Sequence, residues 1–130
     1  MDVFAKQGFV SIRANTAVFK EAYYYEVTLM TDGLMQIGWC TLTTPFTSED
    51  GVGDCKNSYA YDGFRVVKWN DGKEDYGEPW VAGDVIGTMI NFRTKEIHYW
   101  RNGRHLGLAF RNIKTGPNMA YAPGVSLSKG

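Results

Sequence analysis

The sequence predicts an all-β domain built as a sandwich or barrel, with two antiparallel sheets face to face as the preferred arrangement. Three observations carry that expectation. Residues 22–31 alternate, with Tyr23, Tyr25, Val27 and Leu29 on one face and Tyr24, Glu26, Thr28 and Met30 on the other; a period of two in β-branched and aromatic residues is a strand signature. Fifteen glycines are spread evenly along the chain between short apolar runs, and such punctuation marks tight turns. No stretch of eleven residues holds a helical period.

The elements follow in order. Asp32-Gly33 separates residues 22–31 from Leu34 to Cys40, and an Asp-Gly pair between two such runs predicts a hairpin. Residues 57–62 and 65–69 read as two shorter strands. Asp84 to Phe92, Lys95 to Arg101 and Arg104 to Phe110 form a predicted meander, turning at Arg93-Thr94 and Asn102-Gly103. Tyr121 to Leu127 is the last strand. Segments 43–56 and 70–83 are irregular, and the first, the longest polar loop, is a place to look for function. Neither a linker nor a repeat divides the chain, so residues 1–130 read as one domain.

Composition narrows the function. At 44% apolar and 15% aromatic, 130 residues suffice for one core without metals or disulfides. Fourteen basic residues balance fourteen acidic ones, which argues against a nucleic-acid grip built on a basic field. No apolar run approaches the ~20 residues that cross a bilayer, and the N-terminus lacks the pattern of a signal peptide. Two cysteines, Cys40 and Cys55, make no disulfide framework; the expectation is a reduced, intracellular and cytoplasmic protein.

The sequence carries no signature of catalysis. No nucleophile elbow or cysteine-protease signature is present, and Gly51-Val-Gly53 leads into no helix that would cradle phosphate. Pairing of Trp100 with His105 would set His98 on the same face as His105. Cys40 and Cys55 would then complete a Cys2His2 set, but zinc sites use closely spaced cysteines, and no metal is expected. The acidic groups Glu49, Asp50 and Asp54, and Asp71, Glu74 and Asp75, read as solvated loop charges. The residues describe a binding module with no cofactor, not an enzyme.

Several blocks resemble one family. Gly33-Leu-Met-Gln-Ile-Gly-Trp39, Gly51-Val-Gly-Asp54, Asn57-Ser-Tyr-Ala-Tyr-Asp-Gly63, Ala82-Gly-Asp-Val-Ile-Gly87, Arg101-Asn-Gly103 and Leu106-Gly-Leu-Ala-Phe110 occur in the order and at the spacing of the SPRY domain. Ser11 to Asn15 and Tyr121 to Leu127 extend the likeness over nearly the whole chain. The wording is most similar to SPRY domains of large RING-type ubiquitin ligases that act on a cell-cycle inhibitor. The resemblance implies a bent β-sandwich, without catalytic activity or cofactor, that binds a protein partner or short extended peptide and can recruit a ubiquitination substrate.

It also implies a shallow pocket at one rim. Carried over by position, its residues are Arg13, Ala14 and Asn15, then Phe46, Ser48, Gly51 and Asp54 of the 45–54 loop, then Ser128 and Lys129. Some relatives have Trp-Gly where this chain reads Lys129-Gly130. The family continues past Ser-Leu-Ser into a closing strand, so the expectation is a fragment of a longer protein, monomeric or dimerising through an unpaired edge.

The residue types suit a peptide. Arg13 brings five donors in a rigid fork, Asn15 matches a peptide unit, and Phe46 is a candidate aromatic anchor. The competing assignments are structural: Arg13 lying over a tyrosine ring, Asn15 bonding its own turn, Phe46 plugging the loop from below. Trp39, Tyr59 and Tyr61 are expected in the core, Asp62-Gly63 and Asp84 in turns. Two other functions fit the same pattern: a carbohydrate-binding sandwich, and a domain that packs against the rest of a longer chain.

Overall fold

The computed structural model describes residues 9–31, 33–46, 51–116 and 119–128. Ten strands form in chain order: β1 Phe9–Arg13, β2 Ala22–Thr28, β3 Met35–Thr41, β4 Ser58–Asp62, β5 Val67–Trp69, β6 Lys73–Asp75, β7 Val85–Asn91, β8 Glu96–Arg101, β9 Arg104–Phe110 and β10 Tyr121–Ser128. They make two antiparallel sheets, one ordered β1-β10-β3-β4-β5-β6 and the other β2-β7-β8-β9. Among the described residues no helix is long and apolar enough to cross a membrane.

Local chemistry explains the meander. Asn102 and Gly103 both have positive φ, 51° and 82°, the geometry of a turn whose twist matches the strands it joins. At the other end of β8, the Asn91 carboxamide accepts the Arg93 and Thr94 N–H groups. Asp62 does the same after β4, accepting from Phe64 and Arg65.

The hairpin expected at Asp32-Gly33 does not form. β2 pairs with β7, while β3 lies in the other sheet between β10 and β4. The reason is burial. Every residue of β3 is buried, whereas β2 leaves Tyr24, Glu26 and Thr28 exposed. A strand covered on both faces belongs at the centre of a sheet, so the chain crosses between layers instead of folding back. Segment 70–83 also differs from expectation, since it holds the short strand β6.

The core lies between the sheets. Trp39, Tyr59 and Tyr61 are buried as expected, packed with Ile37, Ile86, Ile90, Ile97 and Tyr99. Tyrosines of the smaller sheet reach across to the backbone of β3. The Tyr25 hydroxyl donates to Gly38 O at 2.5 Å and the Tyr99 hydroxyl to Ile37 O at 2.8 Å. Trp39 Nε1 answers from β3, donating to Thr88 Oγ1 at 3.1 Å. Gly38 permits this approach: a Cβ there would stand 1.8 Å from Tyr59 O and 2.8 Å from the Tyr99 hydroxyl.

Asp84 secures the entry to β7. It is buried, accepts the Val81 N–H at 2.8 Å, and takes hydrogen bonds from Arg101 Nε at 2.7 Å and Asn102 Nδ2 at 2.9 Å. Burial alone would raise its pKa, but these donors and the Arg101 charge prevail and hold it down, at about 2.

Two outcomes follow. Gly38→Ala is expected to cost about 3 kcal/mol or more, because backbone has to shift to admit the methyl group; urea denaturation measures it. Asp84 contributes stability that is complete above its unfolded pKa and is lost as pH falls from about 4 towards 2. Asp84→Asn is therefore expected to lower stability at neutral pH and flatten that acid limb in denaturation curves taken across pH.

Candidate functional site

The rim is assembled where β1 ends and β3 leaves its sheet. Arg13 closes β1 opposite Gly124 of β10, and the Ala14 N–H bonds Pro123 O at 3.0 Å. Beyond β3 the chain turns at once: the Thr44 N–H bonds Thr41 O at 3.1 Å, and the Thr41 and Thr44 hydroxyls meet at 2.8 Å. This turn exposes carbonyls that no strand satisfies. Arg13 supplies them, its Nη1 donating to Thr41 O at 2.7 Å and Thr44 O at 2.9 Å.

Arg13 also lies over a ring, with its Cζ 4.6 Å from the Phe46 centroid. The ring is therefore a phenylalanine of the loop itself and not a tyrosine. Sequence expectation and structure meet here, because Arg13 and Phe46, thirty-three positions apart, are placed in contact. Both are half-buried, while Ala14 and Asn15 are exposed. Both carbonyl bonds leave from Nη1, and a guanidinium carries five N–H donors, so the fork has capacity beyond its structural duty.

Sequence reasoning missed Leu42. It follows Thr41 directly and is 50% exposed, an apolar side chain in the turn whose Thr41 and Thr44 carbonyls Arg13 holds. Its signal was an apolar residue inside the Thr-rich stretch at the head of the polar loop.

The rest of the loop turns inward. Gly51, Val52 and Gly53 are all buried, pinned over the larger sheet by Val52 N–H to Ser126 Oγ at 2.8 Å and Gly53 N–H to Ser58 Oγ at 2.6 Å. Gly53 has φ of 97°, and a Cβ there would stand 2.6 Å from the Trp69 Cβ, so only glycine allows so close a cover. Asp54 is half-buried and accepts the Gly51 N–H at 2.6 Å. These two residues shape the loop.

Ser128 pairs with Phe9, four positions along the ladder from Arg13, roughly 13 Å at strand spacing. Ser48 and Lys129 lie outside the described residues. Cys40, beneath the rim, is fully buried; burial pushes its thiol up to about 11, with the Arg13 charge working against the rise.

The histidines meet as pairing of Trp100 with His105 implies. His98 Nδ1 and His105 Nε2 are 2.9 Å apart with rings stacked at 5.1 Å, and His98 Nε2 contacts Glu96 at 3.0 Å. They occupy the smaller sheet, whereas Cys40 sits in the larger, so the four do not converge. Among the described residues no group of three or more metal-ligating side chains forms.

Arg13→Met is expected to remove two hydrogen bonds and strip the Thr44 carbonyl of its arginine donor, while Thr41 O keeps the Thr44 N–H, lowering stability by about 1–3 kcal/mol. Thermal and urea denaturation measure the loss. It should also hasten Cys40 modification by a thiol reagent, through more frequent opening of the rim.

Comparison with known proteins agrees with this architecture. The chain is 53% identical over 123 residues to the E3 ubiquitin-protein ligase RKP of Arabidopsis thaliana, covering 94% of this chain and 10% of that protein. It is 33% identical over 116 residues to the ATP-dependent RNA helicase Ddx1 of Drosophila melanogaster, covering 88% of this chain and 15% of the helicase. The Xenopus laevis DDX1 helicase is 30% identical over 109 residues, 84% of this chain and 14% of that protein. The chain thus spans a small part of each relative's length. The SPRY domain model matches residues 22–130, from the start of β2 through both sheets, and the chain belongs to the SPRY domain family.

Proposed function

We propose that this domain grips an extended peptide segment of a partner protein at the Arg13 rim. SPRY domains are protein-interaction modules without catalytic activity of their own, so the question is which surface is used. The observation that carries the reading is Arg13 stacked on Phe46 and bonded to the turn that holds the exposed Leu42, next in chain to the exposed Ala14 and Asn15. An extended peptide brings unpaired carbonyls and N–H groups. The spare guanidinium donors and the Asn15 carboxamide match them, while Leu42 and the edge of Phe46 supply apolar cover. Gly51 and Asp54 hold the adjoining loop in shape.

Likeness to the plant ubiquitin ligase supports a role in presenting a ubiquitination substrate to a ligase. The domain then contributes recognition, and the transfer chemistry belongs to other parts of such a protein. Association as a monomer fits this role.

The test is selection of peptides from a random library on the chain. Selected peptides are expected to lose roughly tenfold or more in affinity on Leu42→Asp or Asn15→Ala, with the melting temperature unchanged. Arg13→Met is a less clean probe, because it lowers stability as well. Peptides indifferent to Leu42 and Asn15 would move recognition off this rim.

A further inference from the structure

On the opposite flank of the larger sheet, its edge at β5 and β6 faces β9, the last strand of the smaller sheet, across a seam. Two side chains stitch it. The Lys68 Nζ donates to Ala109 O, and the Tyr76 hydroxyl donates to Gly107 O at 2.7 Å. Above the stitches lies a groove, a cavity of about 470 Å³ between residues 68–74 and 108–111. A second cavity of about 360 Å³ continues it towards residues 112–114 and Lys56. Neither touches Arg13, Leu42 or Phe46.

The charge of this groove is out of keeping with the chain. Lys56, Lys68, Lys73, Arg111 and Lys114 line it against Asp71 and Glu74, an excess of three positive charges in a chain whose formal charge is zero. Lys68 is committed to the seam, lying 5.3 Å from the Phe110 centroid and 4.0 Å from Glu74. The other four cations are exposed, and none forms an ion pair within 4.0 Å among the described residues. Lys73 leans 5.9 Å from the Trp69 ring, its ammonium directed by no carboxylate. Holding four like charges around one groove costs free energy that a polyanion returns.

We propose that this seam groove binds an acidic, extended peptide segment of a partner protein, independently of the Arg13 rim. Its dimensions suit a few residues of extended chain, whose alternate side chains recur at about 7 Å and can reach successive cations. Nucleic acid fits less well. Phe110 packs edge-on against Tyr59 at 4.9 Å and carries the Lys68 ammonium, so it offers no free platform for a base. Asp71 and Glu74 would also interrupt a continuous phosphate track.

Fluorescence anisotropy with a labelled peptide alternating Glu and Ala tests the proposal, alongside its Gln–Ala counterpart and an oligouridine of equal length. Saturable binding is expected for the Glu–Ala peptide alone, weakening as salt shortens the screening length below about 8 Å. Combined Lys73→Glu and Arg111→Glu should weaken it by roughly tenfold or more, whereas Arg93→Glu, on the β7–β8 turn outside both cavities, should leave it intact. Equal affinity in the double variant, or tighter binding of the RNA, would overturn the proposal. NMR on the unsubstituted chain gives a reading free of any folding defect. Peptide-induced shifts must concentrate in residues 68–74 and 108–114, and shifts centred on residues 13–15 and 41–46 would assign the peptide to the rim and refute the groove.

Discussion

The sandwich depends on tyrosines of one sheet reaching the backbone of the other. Tyr25 and Tyr99 donate into the Ile37–Gly38 stretch of β3, and Trp39 returns a bond to Thr88. A buried hydroxyl without a partner is costly, so these bonds fix the sheets in one relative position while the aliphatic core alone would tolerate sliding. Gly38 is central to this constraint, because a side chain there would collide with the Tyr59 carbonyl of the neighbouring strand and with the Tyr99 hydroxyl from the facing sheet. Both proposed binding surfaces inherit their geometry from it. The rim is set by the end of β3, and the seam groove by where β6 and β9 come to rest.

Arg13 joins architecture to the proposed recognition in one side chain. The abrupt exit from β3 leaves carbonyls without strand partners, and the guanidinium satisfies them while stacking on Phe46. A rim built this way is preorganised, and less ordering entropy remains to be lost when a peptide arrives. The seam groove differs in kind. Its exposed lysines and Arg111 are mobile charges on long stems, suited to attraction and loose register more than to shape.

The legible parts of the fold were the local ones. Asn102-Gly103 and Asp62-Gly63 specify reversals within a few residues, and the meander and the β4–β5 turn follow from them. Asp32-Gly33 carries a similar turn pair but joins strands of different layers, because a turn signal reports a reversal and not which strands pair afterwards. β6 was hidden by its composition: Lys73-Glu74-Asp75 is charged and wholly exposed, and edge position alone makes it a strand. Burial of Gly51-Val52-Gly53 could not be read from a polar loop, since it rests on Ser58 and Ser126 hydroxyls placed by distant strands. At the rim, Arg13 was visible through the family resemblance of residues 11–15, while its partners Thr41 and Thr44 act through backbone that side-chain patterns do not reveal. The seam groove draws its charges from three separate segments and emerges only in three dimensions.

One habit of this molecule recurs at every junction. Tyr25, Tyr99, Tyr76, Lys68 and Arg13 each donate to a main-chain carbonyl, on residues as different as Gly38, Ile37, Gly107, Ala109 and Thr41. Each tie is thus lopsided in what it asks of heredity. The donor's identity is held, whereas the acceptor, Gly38 and Gly107 apart, offers a group that nearly any amino acid would provide, so drift at that end proceeds without matching change at the other. Covariation between positions would underreport these joints, and the donors would stand out as solitary invariant sites.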